Sequence, residues 1–154
     1  MDQDAFRATY REVNERFCIL EKAILTNQCE CSVAEKFCIA EREGVHCKSD
    51  EGQQNCQEII EVLREQSRFT LHQIDSGSGR LPHGKAMRIQ VGGMRGLYHI
   101  LNPQQDMPQP VPDIYKLVLR IKQHFSDLQQ LPFNQIVQYI AAYKIKKRSS
   151  RRNR

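Results

Sequence analysis

Residues Cys29 to Cys56 read CECSVAEKFCIAEREGVHCKSDEGQQNC, and this stretch decides the architecture. Five of the six cysteines lie inside it, spaced Cys29-x-Cys31-x6-Cys38-x8-Cys47-x8-Cys56, with His46 beside Cys47. That density is far above ordinary usage. The N-terminus, Met1 to Phe6, is acidic and lacks an apolar run, so a secretory leader is not expected. A cytoplasmic, reducing setting follows as the expectation, and stable disulfides are rare there. Thiolates are soft anionic ligands that suit zinc and iron–sulfur clusters. The candidate metal ligands are therefore Cys29, Cys31, Cys38, Cys47 and Cys56.

Cys29, Cys38, Cys47 and Cys56 recur every nine residues and form the preferred quartet, with Cys31 as the alternate to Cys29. Structural zinc sites usually come as close C-x-x-C-type knuckles, which this sequence lacks. Wide gaps suit a bulky cluster better than one ion, so an iron–sulfur cluster is preferred and zinc is second. His46 is read as solvated or as a neighbour of the ligands. Cys18 is read as a small buried hydrophobe on a helix.

Outward from this segment the chain reads as helical. Phe6, Tyr10, Val13, Phe17, Leu20 and Ile24 recur at spacings of four and three, which predicts one helix over residues 3 to about 25. Lys48 to Asn55 reads as a loop, with Ser49 or Asp50 capping a helix that starts near Gln53. That helix carries Cys56, Ile59, Ile60 and Leu63, and continues through Ser67, Leu71 and Ile74. The alternation of Phe69 and Leu71 leaves a strand open there, although helix is preferred. Ser76 to Gly79 is a flexible break.

Met87, Ile89 and Val91 alternate with Arg88 and Gln90, and a second apolar run follows Gly92-Gly93. This predicts a small central β-hairpin. Asn102 to Pro112 holds four prolines and reads as an extended connection. Two further helices follow, one carrying Ile114, Val118, Ile121, Phe125 and Leu128, and one after Pro132 carrying Phe133, Ile136, Val137 and Ile140. The expected fold is mainly α with a small central β-hairpin, a compact helical domain around a cysteine-ligated metal site. Residues 1–143 would form a single domain, with 26–60 as the metal-binding segment and 102–112 as the connection.

The chain has 154 residues and a net charge of +5, but the charge is uneven. Lys144, Lys146, Lys147, Arg148, Arg151, Arg152 and Arg154 crowd the last eleven residues without an acid. Removing those seven from 23 leaves 16 basic residues against 18 acids, so the body is near neutral. Residues 144–154 read as a basic flexible tail able to bind nucleic acid, an acidic partner or an anionic surface. No transmembrane run is present, nor any P-loop, Gly-x-Ser-x-Gly or His-Glu-x-x-His signature. His72, His83, His99 and His124 are scattered, and Lys85 and Arg88 read as a solvated strand face.

Two functions follow as expectations. The first is a small non-enzymatic iron–sulfur protein acting in electron transfer, in redox sensing or as an accessory subunit, with a protein redox partner. The alternative is a nucleic-acid-binding regulator or adaptor with a structural zinc site and a basic C-terminal arm.

Overall fold

The computed structural model describes residues 3–75 and 82–145. The first helix, α1 (Gln3–Val13), stops well short of the expected boundary. The stop is at Asn14, which is buried and donates from Nδ2 to the Val45 carbonyl at 3.0 Å. Beyond it the chain runs extended along a strand edge. The Cys18 N–H donates to the Val45 carbonyl (3.0 Å) and the Cys47 N–H to the Arg16 carbonyl (2.8 Å). The run Phe17-Cys18-Ile19-Leu20 has no polar position for a solvated helix face, and pairing satisfies backbone groups that the strand edge would otherwise leave open. A single helix over 3–25 is therefore corrected to α1, an extended segment and α2 (Glu21–Leu25). Val13 and Phe17, assigned to the buried stripe by spacing, are 58% and 46% exposed.

The hairpin exists, but inside the cysteine-rich segment. Strands β1 (Ala34–Ile39) and β2 (Arg42–Cys47) pair antiparallel, Ala34 opposite Cys47 and Ile39 opposite Arg42. Ala40 takes the left-handed conformation at the turn, with φ 56°. The Phe37 ring packs 5.7 Å from that of Tyr10, above Gly44, where a Cβ would strike both rings. Glu21 fastens these parts: its Oε2 accepts from the Tyr10 hydroxyl (2.5 Å) and from the Val45 N–H (2.9 Å).

Helix α3 (Asp50–Asp75) begins directly after the hairpin, because the Ser49 hydroxyl accepts from the Gly52 N–H at 2.9 Å. The expected loop is thus shorter than Lys48 to Asn55. Ile59, Ile60, Leu63, Ser67 and Leu71 are buried, while Phe69 is 70% exposed. The stretch stays helical as preferred.

No hairpin forms around Gly92. Helix α4 (Pro82–Met87), a π-helical turn (Arg88–Gly92) and α5 (Gly93–Leu101) follow one another, with right-handed backbone at Met87, Gly92 and Gly93. Residues 87–94 are all buried. A helix enclosed on every side shows no polar face, so its sequence loses the helical period and mimics a strand. Its polar residues are spent on backbone groups: Gln90 Oε1 accepts from the Ala23 N–H (3.0 Å), and Arg88 Nη1 donates to the Ala141 carbonyl (2.8 Å). The glycines serve close packing. A Cβ on Gly92 would stand 2.5 Å from Ile140 Cα, and one on Gly96 would stand 3.0 Å from Ile136 Cα.

Residues 102–113 cross back without a helix and lead into α6 (Ile114–His124). A 3₁₀ turn (Leu128–Gln130) precedes α7 (Phe133–Ala142). Helices α3, α5, α6 and α7 enclose a core that includes Ile59, Leu63, Met94, Leu97, Ile121 and Ile136. The protein is mainly helical, at 61%, with this one small antiparallel hairpin among the described residues. No helix among them is long and apolar enough to cross a membrane.

Candidate functional site

Four cysteines from four separate pieces of chain line one recess: Cys18, Cys31, Cys47 and Cys56. Cys18 comes from the extended segment beside β2. Cys47 ends β2, and its Sγ donates to the Ser49 carbonyl at 3.2 Å. Cys56 sits in the second turn of α3, next to Asn55, whose Oδ1 accepts from Lys122 Nζ at 2.8 Å. Cys31 lies on a segment tied to the start of α6. The Glu30 N–H donates to the Val111 carbonyl (2.9 Å), the Ile114 N–H to the Glu30 carbonyl (2.8 Å) and the Ser32 N–H to Asp113 Oδ1 (3.0 Å). Asp113, the residue before α6, thus secures the cysteine segment.

The enclosed space is small, ≈ 20 Å³, room for about one water, so a larger guest requires the lining to part. Ile24, Val33, Ala34 and Ile114 supply an apolar wall, and Tyr115 packs over Gly52. Burial pushes the Cys18 thiol up to about 12 and raises those of Cys31 and Cys56, with mutual thiolate repulsion adding to it. Backbone amides oppose this: the Leu20 amide at Cys18, and the Val33 and Tyr115 amides at Cys31. Such dipoles favour the anion, yet burial dominates, so the thiols stay protonated unless a cation joins them. Among the described residues, no three His, Cys, Asp or Glu side chains gather at the spacing of ligands on one metal ion.

Of the cysteines singled out by sequence, Cys31, Cys47 and Cys56 meet here, and two do not line the recess. Cys29 is 2% exposed and belongs to the core beside Arg95. Burial pushes its thiol up to about 12, while the guanidinium pulls the other way. Arg95 itself donates to Gln28 Oε1 (3.1 Å) and Gln109 Oε1 (2.6 Å) and lies over the Tyr143 ring. Cys38 is exposed on β1, opposite Glu43. The nine-residue spacing that recommended Cys29 and Cys38 therefore does not bring that quartet to one recess. His46 is engaged through Nδ1 with Asn14 Oδ1 at 3.0 Å.

Cys18, read from the sequence as a small buried hydrophobe, packs against the core and also lines the recess. The four-residue apolar run at 17–20 fits an extended segment better than an amphipathic helix. Lys144 is exposed, whereas Lys146, Lys147, Arg148, Arg151, Arg152 and Arg154 lie outside the described residues, as does the expected break at Ser76 to Gly79. Compared with known proteins, the chain matches no protein-family model, no curated protein and no solved structure.

Proposed function

We propose that the chain is a small iron–sulfur protein that transfers electrons to or from a protein partner, with Cys18, Cys31, Cys47 and Cys56 as the cluster ligands. The observation that carries this reading is the lining of one apolar recess by four thiols. A donor set made only of cysteine sulfur selects soft metals and clusters. Four thiolates complete a two-iron or four-iron cluster, and an anionic cluster is favoured by amide dipoles such as those at Cys18 and Cys31. When bound, such a cluster supplies one-electron redox chemistry. With a cluster bound, the four cysteine sulfurs would hold it and Ile24, Val33 and Ile114 would keep water from it.

Anaerobic purification followed by iron and acid-labile sulfide assays tests the reading. Iron and sulfide in matching amounts, with visible colour that fades on chemical reduction, is the expected result. A colourless chain holding stoichiometric zinc would reject it and favour the structural-zinc adaptor instead.

A further inference from the structure

A trough runs beside the cysteine recess. Two hollows that share Arg64, Ala86 and Ile89 join between α3 and the segment from α4 into the π turn. Phe17 and Ile19, the neighbours of Cys18, form one end, and Arg68 and Leu71 form the other. Ile19, Ile60, Leu71, Ala86 and Ile89 make most of the lining aliphatic, with Gln57 and Gln90 among them. Arg64, Arg68 and Lys85 supply three cations along the walls, against two carboxylates, Glu61 in the lining and Glu65 beside Arg68. Arg68 also pairs with Glu65 at 2.6 Å.

We propose that this trough receives an amphipathic, acidic helix of a partner protein. An aliphatic floor with a cationic rim is the complement of a helix that carries an apolar stripe flanked by carboxylates. A nucleic-acid strand fits less well, since successive bases need several aromatic faces for stacking and the lining offers one, Phe17, at its end. The chain's own last eleven residues, with seven cations and no acid, carry the wrong charge for this rim. A helix seated here touches the residues on both sides of Cys18, which puts a partner beside the recess. Its use as an electron-transfer contact rests on the cluster reading, whereas the docking itself does not.

The test is fluorescence anisotropy on the full chain with a labelled peptide of about 16 residues, long enough for a helix. Its leucines follow helical i, i+3, i+4, i+7 spacing and glutamates flank them. A second peptide replaces every glutamate by lysine. The acidic peptide is expected to bind, and the basic one to bind at least about ten-fold more weakly. The double variant Arg64→Glu/Arg68→Glu, with helicity checked by circular dichroism, should weaken the acidic peptide by about five-fold or more. Equal binding of both peptides, or no effect of the double variant, overturns the proposal. So does tighter binding of a uridine oligonucleotide that the same variant abolishes, or self-association of the chain that Arg64→Glu removes. Iron and sulfide are assayed on the same samples. Acidic-peptide binding without a cluster supports the trough and removes the cluster reading, so the two failures stay distinct.

Discussion

Placing a methyl group on Gly92 tests the packing that frames the whole molecule. Alanine is worth about 1 kcal/mol more than glycine in a helix interior, so propensity alone would make Gly92→Ala stabilising. The new Cβ, however, would stand 2.5 Å from Ile140 Cα and 2.6 Å from the Tyr139 carbonyl oxygen. Both are backbone atoms of α7, which cannot rotate aside like a side chain. Relief requires α7 to shift by about 1 Å, opening contacts around Ile136 and Ile140, both fully buried. Overpacking of this kind costs about 1–3 kcal/mol, and rigid backbone puts the net loss near the upper end. For a chain of this size that lowers Tm by roughly 5–10 °C. Gly96→Ala, 3.0 Å from Ile136 Cα, should lose less. Gly84→Ala meets only the end of the Ile145 side chain, at 3.3 Å, and should be close to neutral. Urea unfolding followed by far-UV circular dichroism ranks the three. An unchanged or raised midpoint for Gly92→Ala, or equal losses at all three, would refute the helix-on-helix reasoning.

Serine at Cys18, Cys31, Cys47 or Cys56 should sharply reduce metal retention, while Cys38→Ser leaves metal-to-protein ratios unchanged; bleaching by Cys38→Ser alone would sink the ligand set. In the metal-free chain, Cys18 and Cys29 ionise near 9 when unfolded and at about 12 when folded, so the folded state binds protons more tightly. Their contribution is full below pH 9 and is lost as pH rises towards 12, at about 1.4 kcal/mol per pH unit per thiol. A urea midpoint that is flat from pH 8 to about pH 10.5 would contradict this, and Cys29→Ala should shallow the decline. Glu21→Gln weakens the acceptor shared by Tyr10 and the Val45 N–H, with an expected loss of about 1–2 kcal/mol in unfolding free energy. An unaltered denaturation curve would show that α1 is not fastened there.

The sequence by itself determined the helices that keep one face in water. The stripes Ile59-Ile60-Leu63, Ile114-Val118-Ile121 and Ile136-Ile140 appear as buried rows of α3, α6 and α7, because solvent on the other side preserves the helical period. The concentration of thiols, and the cap at Ser49, were legible for equally local reasons. Tertiary structure decided the rest. Residues 87–94 are surrounded, so their pattern carries no face to read, and only the approach of α7 explains Gly92. The stripe from Phe6 to Ile24 has helical spacing throughout. Even so, the open edge of β2, 30 residues away or so, draws Asn14 and Cys18 to the Val45 carbonyl and breaks the helix. That same edge carries Cys18 to the recess and leaves Cys38 on the outside of the hairpin. Spacing along a chain can count thiols. Which of them share a recess depends on backbone hydrogen bonds formed between segments distant in sequence, whose partners exist only once the chain has folded.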